Sequence, residues 1–135
     1  MVKGINHVGI VVKNIDDTLS CLKEIFGAEE VRRTEYPMMK QISSIVRIGD
    51  GCFELMEPTE PDGPAGKFLD TKGGGLHHVS ILCEDLKETC DELESQGVQL
   101  IGKTLEGPLK IAFVHPKSAK GILYELTETS SMEEE

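Results

Sequence analysis

The chain has 135 residues and carries 14 Lys and Arg against 24 Asp and Glu, which gives a formal net charge of −10. A content of 39% hydrophobic and 28% charged residues is typical of one globular domain and argues against a disordered chain. The apolar runs are far shorter than the roughly 20 residues of a membrane span, and an acidic chain without a basic cluster does not favour nucleic-acid binding. The start of the chain has no signal-peptide pattern, and its four cysteines form no Cys-x-x-Cys pair. These features predict a cytoplasmic protein.

The first predicted element is a β-strand over Ile5–Val12. Asn14 is then placed to cap a helix that Gly27 ends, because Asn is a favoured N-cap and Gly a favoured residue after a helix. Helical spacing predicts that one face of this helix is buried, namely Leu19, Leu22, Ile25 and Phe26. Two strands over 42–48 and 52–56 follow, joined by a Gly-Asp-Gly hairpin.

The second half of the chain predicts the same order of elements. A Pro- and Gly-rich stretch over 58–74 is interpreted as a linker with one helical turn near Ala65–Asp70. Asp85 is predicted to cap a second helix, and strands over 111–114 and 122–127 follow with a longer connection between them.

A repeat within the chain carries the main functional signal. It aligns His7 with His78 and Glu54 with Glu125, so each half places a His on its first strand and a Glu on its last. Strand alternation directs all four side chains to the face opposite the helix. One such residue alone is usually solvated or hydrogen-bonded, but four of them on one sheet face are costly to bury without a partner. A divalent cation bound by two imidazoles and two carboxylates removes that cost, so the pattern predicts a metal site.

One strand departs from the common spacing of the repeat. The segment 45–48 of the first half matches the segment 111–114 best, which places Ile45 with Ile111. Fewer residues separate Ile45 from Ile111 than separate His7 from His78 or Glu54 from Glu125. The hairpins of the two halves are therefore predicted to differ in length.

Several segments resemble the vicinal oxygen chelate superfamily, which includes glyoxalase I and the bleomycin resistance proteins, and within it the methylmalonyl-CoA epimerases. The Leu-His-His and Val-His-Pro-Lys-Ser stretches are the most specific; the matching segments are Asn6–Ile10, Phe53–Pro58, Gly75–Val79, Phe113–Ser118 and Leu123–Leu126. The resemblance implies an α+β fold in which two βαβββ modules, related by a pseudo-twofold axis, form a curved mixed sheet around a metal cavity. The modules would span about 4–57 and 75–128 of a single domain over 1–130, with a flexible acidic tail over 129–135.

The resemblance also implies a function. The metal ligands would be His7, Glu54, His78 and Glu125, with one divalent ion (Co, Ni, Zn, Mn or Mg) per chain of a homodimer. The reaction would be epimerisation of methylmalonyl-CoA, or a related 2-substituted acyl-CoA, by α-proton abstraction through a metal-stabilised enolate. Glu125 would act as a catalytic base in addition to binding the metal.

Other residues bear on the substrate and on the second base. Arg47 is a candidate for holding a substrate carboxylate, and Lys117 and Lys120 are candidates for binding the phosphates of CoA, although each is equally compatible with a surface role. Where some epimerases place a second catalytic Glu, this chain offers Ser44 or Ile45.

Three alternatives use the same fold. A glyoxalase I-like isomerase shares the four-ligand metal and the enediolate chemistry. A drug-binding dimer of the bleomycin-resistance type needs no complete ligand set and favours aromatic stacking, which 4% aromatic residues hardly supply. A ring-opening dioxygenase would use two His and one carboxylate around Fe(II), and a second Glu would crowd that site.

Overall fold

The computed structural model describes residues 2–128, so the tail predicted over 129–135 lies outside the described residues. Two 3₁₀ turns, Pro37–Met39 and Pro116–Ser118, accompany eight strands and three α-helices within this range. In chain order the strands and helices are β1 (Val2–Val11), α1 (Ile15–Phe26), β2 (Glu29–Tyr36), β3 (Gln41–Ile48), β4 (Gly51–Pro58), α2 (Pro64–Lys72), β5 (Gly75–Cys83), α3 (Leu86–Ser95), β6 (Leu100–Thr104), β7 (Ile111–Val114) and β8 (Tyr124–Glu128).

The strands form one mixed sheet in the order β2-β3-β4-β1-β5-β8-β7-β6, which confirms the predicted α+β fold class. The described part of the chain divides into two compact units, one over His7–His77 and one that combines residues 2–6 with residues 78–128. In the first unit β1 runs parallel to β4, and β2, β3 and β4 pair antiparallel. In the second unit β5 runs parallel to β8, and β6, β7 and β8 pair antiparallel. The two units therefore share one internal topology.

Helix α1 covers the apolar core of the first unit. The Asn14 side chain accepts a hydrogen bond from the Asp17 N–H at 2.8 Å, and Gly27 has the left-handed conformation (φ 69°), as predicted for the two ends of this helix. The core comprises Val12, Ile15, Leu19, Ala28, Val46 and Leu55. The predicted buried stripe is wrong at its C-terminal end, because Ile25 and Phe26 are each 59% exposed. Burial instead extends toward the start of the helix, where Ile15 is 1% exposed.

Helix α3 plays the same part in the second unit. Asp85 caps it by accepting a hydrogen bond from the Glu88 N–H at 2.9 Å, as predicted. The core beneath it comprises Cys83, Leu86, Cys90, Ala112, Val114 and Leu126. Burial raises the pKa of the Cys83 and Cys90 thiols, so both side chains act as small apolar residues of this core.

Each of these helices has a second cap that the sequence analysis did not predict. Glu57 Oε1, on β4, accepts the Ile15 N–H at 2.7 Å, and Glu128 Oε1, on β8, accepts the Leu86 N–H at 3.0 Å. The two glutamates correspond to each other in the repeat that aligns Glu54 with Glu125. In each unit the last strand thus supplies a carboxylate to the positive end of the helix.

The β3–β4 hairpin corrects the alignment of the two halves. Ile45 is opposite Glu54 in β4, and Phe113 is opposite Glu125 in β8, so Ile45 corresponds to Phe113 and not to Ile111. The sequence match was misleading because Ile111 and Phe113 are two residues apart on β7 and lie on the same face. Strand alternation therefore does not distinguish between them. The predicted longer connection between the last two strands is confirmed, since nine residues separate β7 from β8 and two separate β3 from β4.

The hydrophobic pattern of the sequence did not predict the bounds of β2, which follows α1, or of β6, which follows α3. Both lie at an edge of the sheet, and β2 has the sequence EEVRRTEY with only partial burial. Charged residues on an edge strand prevent pairing with another chain, but they also weaken the alternation by which a strand is predicted.

The segment expected to be a linker contains a nine-residue helix, α2, which is longer than the single turn predicted. Ala65 of this helix packs with Val11 and Met56 on the face of β1 and β4 opposite α1. Phe68 meets the ring of His77 edge to face, with centroids 4.9 Å apart. Within residues 2–128, α2 and the other helices are too short or too polar to cross a bilayer.

Candidate metal centre

The buried His7 and the partly buried Glu54 form a close pair on β1 and β4. His7 is 5% exposed, and its Nε2 lies 3.2 Å from Glu54 Oε1. The parallel register places Gly9 opposite Glu54, so His7 lies two residues earlier on the same face. The pair therefore lies on the side of the sheet away from α1, as strand alternation predicted.

A hydrogen-bond chain from β3 holds the other oxygen of Glu54. Ser43 Oγ donates to Glu54 Oε2 at 2.7 Å, and Gln41 Nε2 donates to Ser43 Oγ at 2.9 Å. Gln41 and Ser43 are 2% and 3% exposed, so this chain is shielded from water. Among the described residues the buried Gln41 Oε1 atom has no hydrogen-bond partner.

The structure brings together three of the four predicted ligands. Donor atoms of His7, Glu54 and His78 all lie within 4.8 Å of one another, and His78 is 5% exposed. Within residues 2–128 the group consists of these three, and Glu125 is not a member.

Glu125 is half-buried on β8, where its backbone neighbours are Ser80 of β5 and Phe113 of β7. Ser80 follows His78 by two residues on β5 and so shares its face. The Ser80 hydroxyl is fully buried, and its Oγ has no hydrogen-bond partner in the part of the chain that the structure describes. The second unit thus has a buried hydroxyl on β5, the strand of His78, and a carboxylate on the neighbouring strand β8.

The three grouped residues fit a divalent cation. Two imidazole nitrogens and a carboxylate oxygen are a donor set that Zn, Co, Ni and Mn accept. Atoms bound to one ion at about 2.1 Å are at most about 4.2 Å apart. The observed limit of 4.8 Å is only slightly larger, and the 3.2 Å between His7 and Glu54 already lies within the range for one ion. The three side chains are therefore compatible with the binding of one metal ion.

The candidate substrate residues have different positions. Arg47 is exposed near the end of β3, and alternation places it on the same face as Ser43. Lys117 and Lys120 are exposed in the connection between β7 and β8. These residues carry positive charge at the surface of an acidic protein.

Of the two residues offered for a second base, Ser44 lies on the wrong face. Its hydroxyl donates to Glu30 Oε2 at 2.6 Å, on the α1 side of the sheet, while Ile45 lies opposite Glu54 and has no proton to exchange. Ser43 and Gln41 were not predicted to be neighbours of Glu54. The two-residue turn between β3 and β4 was the available signal, because it fixes the register and hence the face of each residue.

The chain belongs to the glyoxalase/bleomycin resistance protein/dioxygenase superfamily, which residues 6–113 match. A similar curated protein is the uncharacterized protein YqjC of Bacillus subtilis (strain 168). It is 35% identical over 127 residues, which cover 92% of this chain and 91% of YqjC.

Two solved structures relate the chain to the methylmalonyl-CoA epimerases. The crystal structure of methylmalonyl-CoA epimerase from Mycobacterium tuberculosis is 30% identical, with a TM-score of 0.87 over 94% of this chain and 88% of that one. A methylmalonyl-CoA epimerase in complex with methylmalonyl-CoA and NH4+ is 25% identical, with a TM-score of 0.88 over 98% of both chains. These similarities confirm the resemblance found in the sequence and the vicinal oxygen chelate fold.

Proposed function

We propose that this protein epimerises methylmalonyl-CoA, or a related 2-substituted acyl-CoA, by removing the α-proton from one face and returning a proton to the other. The group of His7, Glu54 and His78 carries the proposal, since its ligand atoms lie within 4.8 Å of one another in a chain related to epimerases. The related epimerase solved with methylmalonyl-CoA supports the class of substrate.

In the proposed reaction a cation would stabilise negative charge, and side chains of the protein would transfer the protons. A divalent ion held by His7, Glu54 and His78 would supply Lewis-acid stabilisation of the negative charge that develops on the thioester oxygen. Glu125, which we propose both as a fourth ligand and as a base, takes the α-proton onto its carboxylate, and a second group delivers a proton to the opposite face. His7 and His78 are each 5% exposed, so the two imidazoles themselves are shielded from water.

Cofactor, substrate contacts and assembly belong to the same proposal. We propose one divalent ion per chain, from among Co, Ni, Zn, Mn and Mg, and a homodimer located in the cytoplasm. Arg47 is proposed to pair with the substrate carboxylate, and Lys117 and Lys120 with the phosphates of CoA. Their exposed positions on the first and second units are compatible with contact to a ligand from solution.

Deuterium exchange tests the reaction directly. The protein, loaded with Co²⁺, is incubated with one epimer of methylmalonyl-CoA in D₂O, and loss of the α-proton signal is followed by NMR. We expect exchange with the wild type and a rate lower by a factor of roughly 10² to 10⁴ with Glu125→Gln, which cannot accept the proton. Glu106→Gln is the matched control, since Glu106 is exposed.

The alternatives predict other results. A glyoxalase I-like isomerase would leave the acyl-CoA unchanged and convert the adduct of glutathione and methylglyoxal. A drug-binding protein would bind a ligand and exchange no proton. Absence of exchange in wild type that contains one Co²⁺ per chain would contradict the proposed function.

A further inference from the structure

The carboxylate of Glu54 is held at both oxygens by different groups. Its Oε1 faces His7 Nε2 at 3.2 Å, and its Oε2 accepts the Ser43 hydroxyl proton at 2.7 Å. These two contacts oppose rotation of the carboxylate about its last bond. Oε1 is thus left facing His7, while Oε2 is occupied by the hydrogen bond from Ser43.

The hydrogen bonds from Gln41 to Ser43 and from Ser43 to Glu54 can run in one direction only. Ser43 has a single hydroxyl proton, which is donated to Glu54, so Ser43 Oγ can only accept from Gln41. The Gln41 side chain must therefore turn its NH₂ toward Ser43 at 2.9 Å, which leaves Gln41 Oε1 as the buried atom without a partner among the described residues. The amide orientation follows from this network because the reverse assignment would place two acceptors together.

The second unit has no counterpart of Ser43 and Gln41 at the corresponding positions before and in β7. Ser43 pairs with Met56 in the first unit, and Ile111 pairs with Thr127 in the second, where Thr127 is the counterpart of Met56 in the repeat. Two positions before Ile111 stands Leu109, at the place of Gln41. At the two positions that correspond to Ser43 and Gln41, the second unit thus has Ile111 and Leu109, which have no side-chain hydrogen-bonding group, and Leu109 is 40% exposed.

We propose that Ser43, oriented by Gln41, is a positioning residue that holds Glu54 as a one-oxygen ligand and prevents it from moving to accept a substrate proton. The inference deepens the proposed function and rests on the metal site included there. It assigns different roles to the two glutamates of the repeat, with Glu54 the fixed carboxylate. The observation behind this assignment is the hydrogen bond that Ser43 of β3 donates to Glu54.

Cobalt binding tests the proposal through the affinity and the visible absorption of Co²⁺. Ser43→Ala should weaken Co²⁺ binding by roughly 10- to 100-fold, which is typical when the hydrogen-bond partner of a ligand is lost, and should change the absorption spectrum. Ser43→Thr retains the hydroxyl and should bind within about threefold of the wild type. Gln41→Leu should weaken binding less than Ser43→Ala, because Ser43 itself remains.

Ser44→Ala is the matched control. Ser44 is the next residue on β3, is fully buried and also donates to a glutamate, but that glutamate is Glu30 on the other side of the sheet. Thermal unfolding without metal shows whether each variant is folded. A purely structural role for Ser43 would give equal effects of the two alanine substitutions on Co²⁺ binding.

The results separate this proposal from the proposed function. Co²⁺ affinity of Ser43→Ala within twofold of the wild type, with the same spectrum, would overturn the positioning role and leave the epimerase proposal standing. Weaker binding in Ser43→Ala, without deuterium exchange in the wild type, would support the positioning role and overturn the epimerase proposal. A wild type that binds no Co²⁺ would overturn both.

Discussion

Replacement of Glu57 by Ala tests whether a carboxylate from the last strand stabilises the start of α1. Glu57 is half-buried on β4, and its Oε1 accepts the Ile15 N–H at 2.7 Å. Ile15 is 1% exposed, so water cannot readily replace the lost acceptor. The substitution removes a charged acceptor from a helix N-terminus and leaves an N–H without a partner.

The expected loss follows from these contacts. A hydrogen bond to a charged group contributes about 1.5–3 kcal/mol, and this range includes much of the favourable charge–helix interaction of about 0.3–1 kcal/mol. We therefore expect Glu57→Ala to lower the free energy of unfolding by about 1.5–3 kcal/mol. Glu57→Gln keeps an acceptor and loses only the charge, so its cost should be about 0.3–1 kcal/mol.

Urea unfolding followed by far-UV circular dichroism measures both values, provided that the m-values agree. Glu24→Ala is the control, because Glu24 is exposed on α1. A change below about 0.5 kcal/mol for Glu57→Ala, equal to that of the control, would refute the reasoning, since surface substitutions have effects of this size.

Three further predictions concern the core, a charge network and the metal. Leu55→Ala should cost about 2–5 kcal/mol in urea unfolding, because Leu55 is fully buried in the core beneath α1. The hydrogen bond from Arg33 lowers the pKa of Asp16, and although burial raises the pKa of Glu30, hydrogen bonds bring it below its usual value. Both carboxylates therefore stabilise the fold at a pH above their ordinary pKa values, and this contribution is lost as the pH falls. Arg33→Gln should make the free energy of unfolding, measured by urea unfolding, decrease less between about pH 5 and pH 3. Co²⁺ at about 100 times its Kd should stabilise the wild type by about 2.7 kcal/mol in thermal unfolding, and His78→Ala should remove most of this gain.

The sequence predicted those parts of the fold that depend on local patterns. The caps at Asn14 and Asp85 were correct because the side chain of a capping residue acts within its own turn. Burial of Ile25 and Phe26 was wrong because helical spacing gives the direction of a face and not the extent of the sheet beneath it. Contacts between distant segments, such as Glu57 with Ile15, leave no local signal, although the repeat could have revealed them.

The candidate site shows the same limit. Repetition and alternation predicted that His7, Glu54 and His78 share a site, and their donor atoms do lie within 4.8 Å of one another. Placement of Glu125 in the same group stays a prediction. Ser43 was overlooked because its importance depends on the register between two strands, in which a shift of one residue exchanges Ser43 for Ser44.

The connection between β7 and β8 offers the protein a means to change its ligand in evolution. Nine residues, including the exposed Lys117 and Lys120, join two strands whose pairing begins only at Val114 and Tyr124. Loops accept substitutions and insertions more readily than the strands they connect. Residues in this connection can therefore diverge while the backbone of Glu125 stays in register, so that recognition of a ligand evolves separately from the proposed proton transfer.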